Sequence, residues 1–232
     1  MVIDTSFNFY TEVSGEDPDK ASPTLRKYHK ILWSKPLPNG DTFELCDNKS
    51  NAYLYHKSKL GEFFLGSDAI THSYKNHVRK QWLTKQIPSE VDEIFNAGST
   101  IGAYTVFPNN RISGKHTINQ ARGVNSLIDD RFDLTLECIR RFYSGQKSPL
   151  YNTLLLYKYF FDLFDNFIGY AHFFLLEDLI DENQKIKFYL PFDDFKTPPT
   201  FSGIDDYLLY KKGVMEFIMQ RNLKIEQYSQ SC

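Results

Sequence analysis

The chain has 232 residues, 41% hydrophobic and 24% charged, a balance that speaks against intrinsic disorder and allows one sizeable core. Its 27 basic and 29 acidic residues leave a net charge of −2, without the basic excess of a dedicated nucleic-acid binder, so any such role needs a local patch. Cys46, Cys138 and Cys232 are scattered and lack CxxC spacing, which argues against a disulfide framework or a structural zinc centre and points to a reducing cytoplasm.

Residues 1–10 lack a basic segment followed by an apolar run, so no secretion signal is expected. The richest apolar stretch, 150–168, is interrupted by Lys158, Asp162 and Asp165, so no membrane span or membrane partner is expected. Along the chain, Phe7, Phe9 and Thr11 alternate and predict a strand over 7–13, followed by a polar loop over 15–21. Ser22-Pro23 opens a helix, serine as cap and proline at the first position, with Leu25, Tyr28, Ile31 and Leu32 on its apolar face. Pro36, Pro38 and Asn39-Gly40 end it in a turn. Short strands are expected over 41–45, 52–56 and 61–65, with a turn at 47–51 of the kind that joins antiparallel neighbours.

Ile70, Tyr74, Val78 and Trp82 recur at four-residue steps and predict a helix over 68–86. A second helix, 90–97, stops at Gly98, and 100–107 is rich in β-formers and predicts a strand. An amphipathic helix is expected over 126–143 and, after Ser148-Pro149, a helix over 150–164 that is apolar on nearly all sides and therefore deeply buried. Residues 169–179 fit either a short helix or a buried strand. Ile186, Phe188 and Leu190 predict a strand over 185–192, and a long helix follows over 204–228. The fold class is α+β: a mostly antiparallel sheet from the first half packed against helices, then a helix-rich second half. A single globular domain over 1–232 is expected, with a soft boundary near 145.

The segments SPTLRKYHKILWSKPLPNG, TINQARG, DRFDLTLECIRRFY, GYAHFFLLEDLI and FYLPFDDF resemble those of a bacterial family of about this length, known only as a domain of unknown function. The resemblance runs from about Phe7 to Leu223. It implies a soluble, single-domain bacterial protein, and it implies no substrate and no functional residue.

Candidate chemistry concentrates in the loop 109–123. Arg111, Lys115, Asn119 and Arg122 supply donors to a phosphate or carboxylate, and Gly114 and Gly123 allow close backbone approach. His116 is a weak candidate for proton transfer. Gly114-Lys115-His116-Thr117 is not a phosphate-binding P-loop, because Asn109 stands where a glycine is needed and His116 where Ser or Thr is needed. The plainer reading is a turn at Ser113-Gly114 with exposed basic residues and an Arg122 that pairs with Asp129 or Asp130. Asp129, Asp133 and Glu137 fall in one row; a metal row is one reading, but a solvated face complementing the helix dipole, with Arg140 and Arg141 at the far end, is the expectation. No metal site is expected, and no cofactor or reaction is legible. Two functions stay open. One is a cytoplasmic protein that binds a nucleotide or nucleic-acid phosphate through 109–123. The other is a non-catalytic interaction or regulatory protein, with part of the 16% aromatic content exposed as a partner surface.

Overall fold

The computed structural model describes residues 2–46, 54–58 and 61–231. The expected strand over 7–13 does not form. The Asn8 side chain accepts from Tyr10 N and caps a 3-10 turn, Phe9–Thr11, while Phe9 N donates to Ser99 O at 3.0 Å and its ring is fully buried. Backbone donors taken by a cap and a distant carbonyl are lost to a ladder. Two cap-plus-proline starts follow. Asp17 caps α1 (Pro18–Ala21), which replaces part of the expected polar loop, and Ser22 caps α2 (Pro23–Trp33) by accepting from Leu25 N.

β1 (Lys35–Pro36) and β2 (Thr42–Phe43) form a small antiparallel pair closed at Gly40, whose φ of +84° is the left-handed conformation this turn requires. The main sheet has the order β3 (Leu54–Ser58), β4 (Gly61–Ala69), β5 (Tyr104–Pro108), antiparallel throughout. The turn expected at 47–51 lies outside the described residues. The helix expected over 68–86 is not there: Asp68 and Ala69 end β4, and only α3 (Gln81–Thr84) and a 3-10 turn before it are helical. Val78 and Trp82, half of the supposed apolar stripe, are 79% and 56% exposed, so the four-residue period marked no buried face.

α4 (Pro88–Ala97) forms as expected and its last turn is closed by Gly98. α5 (Ile118–Val124) occupies the second half of what reads in the sequence as a loop, and α6 (Phe132–Tyr143) begins six residues later than its sequence pattern. The expected helix over 150–164 is broken at Tyr157 into α7 (Tyr151–Leu156) and α8 (Lys158–Asp162), where the Tyr157 hydroxyl donates to Asn110 O at 2.9 Å. The ambiguous 169–179 segment is helical, as α9 (Phe167–Phe173) and a 3-10 turn. No strand forms over 185–192; the region shows one isolated bridge, Ile180 with Ile186, and Tyr189 N donates to the Asp133 carboxylate instead. α10 (Ile204–Ser231) closes the chain.

The buried side chains form one hydrophobic cluster that takes residues from Ile3 to Ile225. Its densest part is a network of aromatic rings that links Phe160, Phe161, Phe164, Tyr170, Phe174 and Phe173 ring to ring. α10 packs against the 3-10 turn Ile101–Ala103, against α4 and against α2. The approach is close at Gly102, where a Cβ would stand 2.7 Å from Ile218 O, so only glycine lets the two backbones meet there. Among the described residues no helix is long and apolar enough to cross a membrane.

Candidate functional site

The three elements α1, β4 and α5 converge at Gly66-Ser67-Asp68. α1 packs directly on β4, and α5, from the middle of the chain, reaches it through Asn119 and Arg122. Between them is a cavity of about 510 Å3. Asp17, Asp19 and Lys20 line it from α1 and its cap, Gly66, Ser67 and Asp68 from β4, and Asn109, Thr117, Asn119 and Gln120 from the segment after β5. Gly66 keeps it open against Asn109, whose Cγ would be 3.0 Å from any Cβ at that position. The start of α5 is a capping box: Thr117 Oγ1 accepts from Gln120 N, and Gln120 Oε1 accepts from Thr117 N. The same Gln120 oxygen also takes a hydrogen bond from Arg111 Nε at 3.2 Å and lies 3.4 Å from His116 Nδ1. The expected loop is thus folded back over the first turn of a helix.

Arg122 lies fully buried behind the cavity. Its guanidinium donates to the Asp68 carboxylate, to Thr135 Oγ1 at 2.9 Å and to Asp130 O at 3.1 Å, with the Asp130 carboxylate 3.6 Å away. Asp129 and Asp130 both hold left-handed φ angles, +47° and +63°, a conformation aspartate tolerates better than most residues, and that turn aims the Asp130 carbonyl at Arg122. Burial opposes the arginine charge, but Asp68 and Asp130 outweigh it and hold its pKa above the ordinary value. Burial drives the Asp68 carboxyl up against the pull of Arg122, with Asp130 and Asp19 adding to the rise.

One cation among several carboxylates leaves negative charge uncompensated, and Asp19 carries the consequence. Burial first, then the neighbouring Asp17, raise its pKa to about 7. A buried hydrogen-bond chain leads to it from the core. Trp33 Nε1 can only donate, so His29 Nδ1, 3.0 Å away, is the acceptor and the neutral ring carries its proton on Nε2. That nitrogen is 2.8 Å from Ser67 Oγ and donates to it, and the Ser67 hydroxyl hydrogen-bonds Asp19. Burial lowers the His29 pKa to about 3, so the ring stays neutral. The Ser67–His29 contact therefore runs opposite to a nucleophile–base pair, in which the histidine must accept the serine proton.

The raised Asp19 pKa sets a pH dependence. Between about pH 4 and pH 7 the unfolded chain has released a proton that the folded chain keeps, so stability falls as pH rises through that window and levels off above it. Asp19→Asn is expected to match the native protein at about pH 4, to exceed it in stability at about pH 8, and to flatten the slope between. Urea unfolding across that range measures this, and an unchanged slope assigns the titration to another group.

The structure separates the residues singled out in the sequence. Asn119 lines the cavity and donates to Ser67 O at 3.3 Å. Arg111, Lys115 and His116 are exposed, Arg111 and His116 beside Gln120 on the cavity wall. Arg122 is not with them on the surface, and it pairs with Asp130, one of the two partners the plainer reading gave it, and with Asp68. The expected solvated face of the central helix is overturned. Asp133 is fully buried and paired with Arg131, and Glu137, 3% exposed, holds Arg140 and Arg141 at 2.7 Å each. Asp129 precedes the helix and pairs with Lys80 at 2.8 Å. The segments at 78–80 and 189–194 cover that face. No group of three His, Cys, Asp or Glu side chains suited to a metal ion occurs among the described residues. Cys138 is buried and its thiol pushed up to about 11 by burial, which makes it inert.

The sequence reading missed Ser67, Asp68 and Asp19. Asp68 was hidden inside a falsely expected helix. Asp19 had a visible signal in Asp17-Pro18, the same cap-plus-proline pattern as Ser22-Pro23.

A family model, that of the family of unknown function DUF6994, matches residues 3–225. No curated protein and no solved structure matches the chain.

Proposed function

The chain therefore belongs to DUF6994, a membership that assigns no chemistry, and we propose from the geometry that the cavity binds a small, hydroxyl-rich ligand carrying an anionic group. Sugar phosphates and nucleotides both have that character. The observation that carries the reading is a pair of oxygens on cavity-lining residues, Asp19 Oδ1 and Asn119 Oδ1, that are buried without a hydrogen-bond partner among the described residues. Buried acceptors left without donors are costly, and ligand hydroxyl groups supply those donors. Asp19, which exchanges its proton near neutrality, can accept from a hydroxyl or donate to one. The anionic group falls to the rim, where Lys20 lines the cavity and Arg111 is held against Gln120, with Lys115 and His116 exposed in the same loop. Arg122 acts here as a positioning residue that fixes Asp68, not as a ligand contact.

An aromatic partner-binding surface has less support. The sequence holds 20 Phe and 15 Tyr, yet among the described residues Tyr10 and Tyr159 are the ones of these that are exposed.

Thermal unfolding in the presence of ribose 5-phosphate and of nucleoside monophosphates tests the proposal. A ligand at about 100 times its dissociation constant adds about 2.7 kcal/mol, which raises Tm by several degrees at this size. The shift is expected to disappear in Asn119→Ala and to persist in Lys212→Ala, a substitution on α10 outside this cavity. No shift with any phosphorylated sugar or nucleotide overturns the proposal.

A further inference from the structure

A second cavity, about 210 Å3, shares Asp68 with the first. Its walls include the rings of Tyr10, Phe95, Tyr104 and His72, with Asp130 and Asn76 as polar neighbours. Tyr10 and Phe95 lean on each other at 4.8 Å between centroids, and Tyr10 is 36% exposed, so part of its ring faces solvent. The two cavities are neighbours electrostatically as well as through Asp68. The Tyr10 hydroxyl is pushed up by burial and then by Asp17 and Asp19, both of which line the first cavity. The Asp68 carboxyl likewise feels Asp130 from one cavity and Asp19 from the other. Directly across the strand pair from Asp68 is Thr105, fully buried, its hydroxyl without a partner among the described residues.

We infer that the second cavity is a subsite for one planar heteroaromatic ring, so that the ligand is a nucleotide lying across Asp68 with its base between the aromatic walls and its ribose hydroxyls on the Asp68 carboxylate. The inference rests on the reading of the first cavity as a site for a hydroxylated anion, and it narrows that class. Three features carry it. The volume is below the roughly 300–1,000 Å3 of a site for a whole small molecule, and so suits a single ring system that continues into the neighbouring cavity. The walls are rich in aromatic rings, from Tyr10, Phe95, Tyr104 and His72, and aromatic surfaces take bases with little dependence on their identity. Polar groups that suit a base edge line the same cavity: His72 Nδ1 accepts from Tyr74 N at 3.3 Å, which leaves the proton of the neutral ring on Nε2 as a donor, and Asn76 adds an amide. A sugar phosphate alone would leave all of these unused.

Isothermal titration with ribose 5-phosphate, adenosine 5′-monophosphate and uridine 5′-monophosphate separates this inference from the reading beneath it. The native protein is expected to bind at least one of the nucleotides about tenfold or more tighter than ribose 5-phosphate, the usual size of one stacking interaction. Tyr10→Ala is expected to erase that preference while leaving ribose 5-phosphate affinity unchanged, and Asn119→Ala to weaken all three ligands together. Phe95→Leu, which keeps apolar volume and removes the ring face, is the second variant should Tyr10→Ala melt early. Equal affinity for the three ligands overturns the ring subsite alone, as does a nucleotide preference that survives both ring substitutions. No binding of any of the three by the native protein overturns the subsite and the underlying reading together.

Discussion

Replacing Arg122 with alanine is expected to destabilise the protein by about 3–5 kcal/mol, the usual consequence of removing one partner from a buried ion pair. The side chain is fully buried and joins three segments: the end of β4 through Asp68, the turn before α6 through the Asp130 carbonyl, and α6 itself through Thr135. Without it, Asp68 and Asp130 face each other and Asp19 with no cation behind them, and the Thr135 hydroxyl and Asp130 carbonyl lose a donor. The deficit is expected to shrink in acid, because Asp68 is already driven up by burial and would take a proton once Arg122 is gone. Adding Asp68→Asn to Arg122→Ala is expected to recover part of the loss, since the orphaned charge is removed with its partner. Urea unfolding of the four members of this double-mutant cycle at two pH values measures the coupling. A loss under about 1 kcal/mol for Arg122→Ala, well below the range for a broken buried pair, contradicts the ion-pair account.

The second large effect concerns Arg221, buried without an ion-pair partner among the described residues. Its guanidinium donates to Gly102 O at 2.9 Å, Tyr104 O at 2.8 Å and Phe174 O at 2.9 and 3.2 Å, and its plane lies 5.6 Å from the Trp33 ring. Burial lowers its pKa to about 10, which keeps it charged throughout the neutral range. One side chain on α10 thus satisfies carbonyls from the start of β5 and from the end of α9. Arg221→Met preserves most of the apolar stem and leaves three buried carbonyls without that donor, each at a cost of about 1–3 kcal/mol, so a total of at least about 3 kcal/mol is expected. Arg221→Lys keeps the charge but lacks the planar fork needed to reach all three oxygens, and should fall between the native protein and Arg221→Met. Chemical denaturation gives the ranking; Arg221→Met equal to native would mean that water or a rearranged backbone replaces the guanidinium.

What could be read in the sequence was what local chemistry decides. The cap and proline at Ser22-Pro23, the stop at Gly98, the turn at Gly40 and the long apolar periodicity of α10 depend on neighbours a few residues away, and they formed. The failures share a cause. Residues 185–192 alternate like a strand, but Tyr189 N is taken by the Asp133 carboxylate and the segment makes an isolated bridge, Ile186 with Ile180, in place of a ladder. The Ile70-Tyr74-Val78-Trp82 period looked helical only because two exposed side chains completed it. Asp133 and Glu137 have the pattern of a solvated face, and only the tertiary approach of 78–80 and 189–194 buries them. The cavity itself is assembled from 17–20, 66–68, 109 and 117–120, so its shape exists only after folding. Of the residues singled out in the sequence, Asn119 is at the cavity because the capping box at Thr117 turns the second half of the loop into helix, and that box is itself spelled by Thr117 and Gln120.

The chain from Trp33 through His29 and Ser67 to Asp19 gives the protein an optical reporter of its own. The sequence has two tryptophans: Trp82 is more than half exposed, while Trp33 is sealed from solvent and its indole N–H ends the hydrogen-bond chain that begins at the cavity. Anything that protonates, deprotonates or occupies Asp19 alters the polarisation of that chain, and with it the emission of a buried indole whose signal is distinct in colour from that of a solvated one. Occupancy of the cavity can therefore be followed in unlabelled protein, with Trp82→Phe leaving Trp33 as the sole tryptophan.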